Sequence, residues 1–139
     1  MKTSEENPAD WFLLAADRLK VADLAYATHG ITYSGVELLQ EAVERYLKGY
    51  LVAKGWRLVK THDLPTLVRA AIEFDQAFTA FSGLAADLTE SFWSQHYPGG
   101  DMEGFGSDYD ELRRQAGDLI QLILVAIRSR PNSEAEHAK

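Results

Sequence analysis

Apolar residues recur at intervals of three and four along most of this chain, which is the spacing of helices that bury one face. The first predicted helix spans residues 8–28, with Asn7 as its N-cap, and ends at Gly30, a natural terminator. The second spans residues 34–54 and opens with Ser34 and Glu37, the two members of a capping box. Strand-like alternation is hard to find, so the pattern indicates an all-helical chain.

Three further helices complete the pattern. Asp63 is expected to cap a third helix that fades near residues 78–82, and a short fourth helix covers residues 84–95. A loop with four glycines follows at residues 97–107. The last helix runs from there to about Arg130, where the proline that follows is expected to stop it.

These elements predict one domain over residues 1–139, an all-α up-and-down antiparallel bundle of four to five helices with a polar tail at 131–139. The last helix is apolar on more than one stripe, because Leu122, Leu124 and Val125 lie off its main face. That surplus fits either a central helix enclosed by its neighbours or a face buried against a second subunit. The second interpretation predicts a homodimer through the last helix and part of the second.

Composition excludes several kinds of protein. With 14 basic and 21 acidic residues the net charge is −7, which disfavours a protein that coats DNA. The absence of cysteine excludes a disulfide scaffold, cysteine zinc sites and thiol catalysis. The histidines show no metal-pair spacing, and the glycines follow a helix instead of a strand, so we expect no metal and no cofactor. A polar start and no apolar run of membrane length predict a cytoplasmic protein.

Positive charge concentrates in the loop between the second and third helices. Lys54, Arg57, Lys60 and His62 lie close together there, next to a helix N-terminus whose N–H groups favour anions. This basic loop is either a phosphate site or an exposed loop kept soluble by its charges. Arg57 and His62 could also cleave RNA without a metal, with arginine on a phosphate and histidine moving a proton, or could play structural roles.

Two other positions carry candidate chemistry. Glu44 and Lys48 are four residues apart on the second helix, in the favourable order for a surface salt bridge. Both also lie beside the apolar stripe, where they could instead line a groove. His96 ends the fourth helix, where the helix dipole favours a histidine.

The chain resembles the HEPN domain family, most closely the branch associated with minimal nucleotidyltransferases. The similarity rests on residues 41–51 (EAVERYLKGYL), on Gly55 and on residues 60–64 (KTHDL), with Tyr97-Pro98 as a later element. It extends over residues 10–128. The resemblance implies a bundle that commonly dimerises, a nucleotide-binding role, and a partner nucleotidyltransferase, often in a toxin–antitoxin pair.

Two departures from the family pattern bear on activity. His96 stands where arginine is common, which removes an arginine contact to phosphate at that point. The ribonuclease branch carries an Arg-x4-6-His motif on a later helix, and this chain has none after His96. The second departure favours nucleotide binding over cleavage.

The sequence thus predicts a nucleotide-binding HEPN module for an ATP-like nucleotide or short RNA. Its alternatives are a metal-independent endoribonuclease toxin using Arg57 and His62, and a non-catalytic dimeric interaction protein. Glu44, Asp63 and His96 are expected to be structural or to line the groove. The expected nucleotide- or phosphate-binding residues are Lys48, Arg57, Lys60, His62 and Tyr97.

Overall fold

The computed structural model describes residues 2–57, 60–96 and 109–137. These ranges contain no strand, so the prediction of an all-α bundle is confirmed. Five α-helices and one 3₁₀ helix lie within them. In chain order they are α1 (Pro8–His29), α2 (Tyr33–Ala53), α3 (Leu64–Phe74), the 3₁₀ helix (Gln76–Phe81), α4 (Ser82–His96) and α5 (Tyr109–His137).

The ends of α1 and the start of α3 follow the sequence signals. The side chain of Asn7 accepts a hydrogen bond from the N–H of Ala9 at 3.1 Å, which satisfies a donor that the first turn leaves open. Gly30 has a φ of 72°, a conformation that favours glycine, and ends α1. Asp63 caps α3 by accepting from the N–H of Thr66 at 3.2 Å. These local predictions are confirmed because capping depends only on neighbouring residues.

The start of α2 differs from the prediction. Thr32 is the N-cap, because its hydroxyl accepts from the N–H of Gly35 at 2.9 Å. Ser34 therefore lies inside the first turn, and the predicted capping box does not start the helix. Threonine and serine hydroxyls can both cap a helix, so the choice between them depends on where the chain turns after α1.

Two helix ends were also predicted wrongly. α3 ends at Phe74, earlier than expected, because Asp75 takes an extended conformation and its carboxylate accepts from the N–H of Ala77 to start the 3₁₀ helix. α5 continues through Pro131 to His137. A proline removes one backbone donor and can bend a helix without ending it, so the expected stop at Arg130 is wrong.

α2 is the central helix of the bundle. It contacts α1, α3, α4 and α5, and most of its side chains are buried. α1 runs antiparallel to it at close range, since a Cβ at Gly35 would lie 3.6 Å from Ala25 and one at Gly49 would lie 2.6 Å from the ring of Phe12. The helix enclosed by its neighbours is therefore α2, which leaves little of its surface for a second subunit.

The surplus apolar surface predicted on α5 is mostly used inside the subunit. Leu122 and Leu124 are partly buried and pack against the core, whereas Val125 is 45% exposed. A dimer through α5 stays a prediction, with Val125 as its main exposed apolar contact. No helix in the described ranges has both the length and the apolar character needed to cross a membrane.

Polar contacts join the end of α1 to the start of α5. Arg113 donates two hydrogen bonds to the carboxylate of Asp23, at 2.7 and 3.0 Å, and the hydroxyl of Tyr26 donates to Asp110 at 2.6 Å. The rings of Tyr26 and Tyr109 lie 4.4 Å apart beside these contacts. Burial is the main cause that raises the pKa of Tyr109 to about 12. We call this cluster the α1–α5 joint.

Candidate functional site

Glu44 is a carboxylate buried within α2, with only 4% of the residue exposed. Its Oε2 accepts a hydrogen bond at 2.8 Å from Nζ of Lys48, which is itself 6% exposed. A spacing of four residues places the two side chains on the same face of the helix, one turn apart. The expected salt bridge therefore forms, but it lies inside the protein instead of on its surface.

His62, in the loop that follows α2, contacts the same carboxylate. Its Nδ1 lies 3.1 Å from both oxygens of Glu44, while its side chain is 79% exposed. A carboxylate only accepts hydrogen bonds, so the proton of the neutral imidazole belongs on Nδ1. Nε2 then carries the lone pair, on a ring that solvent can reach.

The residues on either side of His62 fix its position. The N–H of Asp63 donates to the hydroxyl of Thr61 at 3.1 Å, and the carboxylate of Asp63 caps α3 through Thr66. The carboxylate of Asp63 is thus engaged in capping α3. Because this start is fixed, His62 is held two residues before the first residue of α3 and beside α2.

The ammonium of Lys48 has an aromatic neighbour that the sequence analysis missed. Its Nζ lies 5.6 Å from the centre of the Trp11 ring, a distance at which a cation is attracted to the ring face. The indole N–H of Trp11 donates to the carbonyl of Glu5 at 2.8 Å, which anchors the ring. No spacing in the sequence indicates this contact, because α1 and α2 supply residues 37 positions apart.

The basic loop presents two exposed cations. Arg57 and Lys60 are exposed, whereas Lys54 is half-buried with its ammonium 5.7 Å from the centre of the Tyr50 ring. None of the hydrogen bonds recorded for the described residues joins Arg57 to His62, whose polar contact is with Glu44. The structure therefore brings His62 together with Glu44 and Lys48, a grouping that the Arg57–His62 hypothesis did not contain.

Two predicted site residues cannot be placed in this cluster. Tyr97 lies outside the described residues. His96 is the last residue of α4, and its side chain is not among those that the structure describes.

An oriented imidazole such as His62 can move a proton, and the exposed cations of the basic loop are of the kind that binds anions. Glu44 and Lys48 cancel each other's charge in the interior, so the net positive charge comes from the exposed Arg57 and Lys60, and from His62 when it is protonated. Among the described residues no group of three or more histidine, aspartate or glutamate side chains could hold a metal ion. The chemistry within reach is phosphate binding or acid–base transfer by an oriented imidazole.

One comparison with known proteins gives a match. The family model described as the HEPN domain matches residues 9–126, which include Trp11, Glu44, Lys48 and His62. No curated protein and no solved structure matches the chain.

Proposed function

Because the chain belongs to the HEPN domain family, we propose that it binds a nucleotide or a short RNA through its phosphates. The site would be the rim formed by His62 and the basic loop, above the buried pair of Glu44 and Lys48. The ligand class is an ATP-like nucleotide or a short RNA, since both present phosphate oxygens to arginine, lysine and histidine donors.

One observation carries the proposal: a buried carboxylate holds an exposed imidazole. A buried ion pair seldom stabilises a fold more than well-packed apolar residues of similar volume would, because both charges lose their hydration. The pair of Glu44 and Lys48 does orient His62, however, through the two 3.1 Å contacts to its Nδ1. We infer that this orientation is its purpose, since it directs Nε2 of His62 toward a ligand.

Each residue at the rim then has a distinct role. Arg57 would grip a phosphate with two parallel hydrogen bonds, and Lys60 would add a second positive charge. His62 would donate from Nε2 when it is protonated. Lys48, expected from the sequence to contact phosphate, would act indirectly by holding Glu44, because its ammonium already contacts a carboxylate and an indole ring.

Calorimetric titration at low salt tests this proposal. At least one of the two ligands, ATP or a short RNA, should bind the wild-type chain. Arg57→Ala and His62→Ala should each weaken that binding by about tenfold. Arg128→Ala is the matched control, because Arg128 is an exposed arginine on α5 that bonds its own helix. No heat with either ligand, or equal effects of all three substitutions, would contradict the proposal.

The contact between His62 and Glu44 also favours a second candidate, a metal-independent endoribonuclease. A carboxylate that holds Nδ1–H fixes the tautomer and orients Nε2 to take a proton from a ribose 2′-hydroxyl. Arg57 would hold the adjacent phosphate. Cleavage of RNA in the presence of a chelator should fall at least about 100-fold in His62→Ala and less in Glu44→Gln. Cleavage or cell toxicity that persists in His62→Ala would remove this candidate.

We also propose the assembly that the family resemblance implies. The chain would form a cytoplasmic homodimer and act with a minimal nucleotidyltransferase, in a pair of the toxin–antitoxin type. This rests on the likeness of residues 41–51 and 60–64 to that branch of the family. Copurification of a co-expressed minimal nucleotidyltransferase, with relief of any toxicity, tests it. A nucleotidyltransferase that neither binds this chain nor changes its effect on growth would argue against the pairing.

A further inference from the structure

The two ring nitrogens of His62 differ in what they contact. Nδ1 lies 3.1 Å from both carboxylate oxygens of Glu44, so it is engaged inside the protein. The side chain as a whole is exposed to solvent. Because the proton of the neutral ring belongs on Nδ1, the lone pair lies on Nε2. His62 is therefore a histidine with a single accessible nucleophilic nitrogen.

We propose that Nε2 of His62 accepts a phosphoryl group from an activated phosphoryl compound, meaning one whose phosphorus carries a good leaving group. The product is a phosphohistidine at the surface of the bundle. This goes beyond the binding of a nucleotide or RNA, because no nucleotide has to be bound for the transfer. It also differs from acid–base chemistry at the same ring, since a covalent bond forms between nitrogen and phosphorus.

The transfer forms one bond to phosphorus and breaks another. The lone pair of Nε2 makes the new bond, while the bond from phosphorus to the leaving group breaks and the leaving group keeps its electron pair. With phosphoramidate, whose nitrogen is protonated, the leaving group departs as ammonia. The ring of His62 retains its proton on Nδ1 and becomes an imidazolium, so no base has to accept a proton. Nothing is oxidised or reduced.

Glu44 stabilises the positive charge that this step creates on the ring. Attack turns a neutral imidazole into a cation whose Nδ1–H is already directed at a carboxylate, so the hydrogen bond gains an ionised donor to match its ionised acceptor. An interaction that strengthens in the transition state accelerates the step. Lys48 holds one oxygen of the carboxylate at 2.8 Å, so the group is in place before the reaction starts.

The surroundings of His62 suit an anionic phosphoryl donor. Arg57 and Lys60 belong to the same loop and are exposed, and cations of this kind neutralise the oxygens of a transferring phosphoryl group. Glu44 is buried and its charge is balanced by Lys48, so the carboxylate that orients the ring does little to repel the donor. The nucleophile is thus exposed while the negative charge behind it is shielded.

His29 provides a matched comparison within the same chain. It is the last residue of α1 and is exposed, as His62 is. In the described part of the chain its ring makes no hydrogen bond to a carboxylate. No acidic side chain therefore stabilises the cation that attack by His29 would create. The difference in rate between the two histidines reports what the contact with Glu44 contributes.

Phosphoramidate tests the proposal on the folded full-length chain, with no nucleotide present. Brief incubation, followed by mass spectrometry under alkaline conditions that preserve the nitrogen–phosphorus bond, gives the rate at each histidine. His62 should react about ten times faster than His29, since a hydrogen bond to an ionised group is worth about that factor. In urea that unfolds the chain the two rates should become equal. Equal rates in the folded chain, or a preference for His62 that persists in urea, would overturn the proposal.

The position of the phosphorus on the ring tests the role of Glu44. Phosphorus NMR distinguishes the two isomers of phosphohistidine, and His62 of the wild type should carry the group on Nε2 alone. Glu44→Gln should slow the reaction at His62 by about tenfold and admit the Nδ1 isomer, because the amide is neutral and its NH₂ group can donate to Nδ1. Circular dichroism checks that this variant keeps its helices. Phosphorus on Nδ1 of His62 in the wild type would contradict the proposal without reference to any variant.

These measurements can be separated from the calorimetric titration of nucleotide. Preferential phosphorylation of His62 in a chain that binds neither ATP nor RNA would support the phosphohistidine and contradict the nucleotide site. Nucleotide binding that is weakened by His62→Ala, in a chain whose His62 reacts no faster than His29, would overturn the phosphohistidine alone.

Discussion

The carboxylate of Glu44 lies 2.8 Å from the ammonium of Lys48, and both side chains are more than nine-tenths shielded from solvent. Pairs with this spacing are ordinarily exposed and contribute little to stability. Here the third partner, His62, is the exposed member of the cluster. The pair therefore connects the interior of the bundle to a reactive group at its surface.

The buried pair predicts an unusual response to mutation. Lys48→Met should lower the free energy of unfolding by about 3 kcal/mol, because it leaves the buried carboxylate of Glu44 without its cation. The double variant Glu44→Leu with Lys48→Met should be more stable than Lys48→Met alone, since no unpaired charge remains. Urea denaturation of the three proteins measures this. Arg114→Ala, which removes exposed ion pairs with Glu111 and Asp118, is the control and should cost less than about 1 kcal/mol.

Two glycines predict opposite effects of the same substitution. Gly49→Ala should destabilise the fold by about 1–3 kcal/mol, because the new Cβ would lie 2.6 Å from the ring of Phe12 and would push α1 from α2. Gly83→Ala should be neutral or stabilising by up to about 1 kcal/mol, since a Cβ there meets open space and alanine favours the helix. Thermal unfolding of both variants decides this. Equal melting temperatures would mean that α1 and α2 pack less closely than the structure shows.

Tyr109 predicts a loss of stability at alkaline pH. Its pKa is raised from 10.0 to about 12 in the folded chain, mainly by burial. Above pH 10 the unfolded chain loses the phenolic proton while the folded chain keeps it, so stability falls between about pH 10 and 12. The loss should reach about 1–3 kcal/mol.

The variant Tyr109→Phe should make this part of the pH profile shallower. It would not abolish the slope, because the pKa values of Tyr26, Tyr46 and Tyr50 are also raised. Denaturation midpoints at a series of alkaline pH values test the point. An unchanged slope in Tyr109→Phe would show that the other tyrosines account for the whole effect.

The α1–α5 joint predicts a measurable coupling between Asp23 and Arg113. The two hydrogen bonds form a bidentate pair with partly shielded side chains, so a double-mutant cycle to alanine should give about 1 kcal/mol. The same cycle on Arg114 and Asp118, which are both largely exposed, should give about 0.5 kcal/mol or less. A coupling at Asp23 no larger than this would indicate that the joint is only a surface contact.

The sequence alone determined the helical class and the local ends of several helices. The apolar spacing of three and four predicted the five α-helices. Asn7 and Gly30 marked the two ends of α1, and Asp63 marked the start of α3. Both signals can be read from the sequence because they depend on residues within a turn or two of each other. It failed where two local signals competed, as at Thr32 and Ser34, and where a single proline was read as a stop.

Only the tertiary structure decided the site. Glu44 and Lys48 could be paired from their spacing, but not recognised as buried, and the partners that contact them come from distant segments. His62 reaches Glu44 across 18 positions, and Trp11 reaches Lys48 across 37. Periodicity fixes which face of a helix is apolar, but it carries no information on which distant segment covers that face. The position of a polar group in the interior depends on that covering segment, so it is settled when the helices pack.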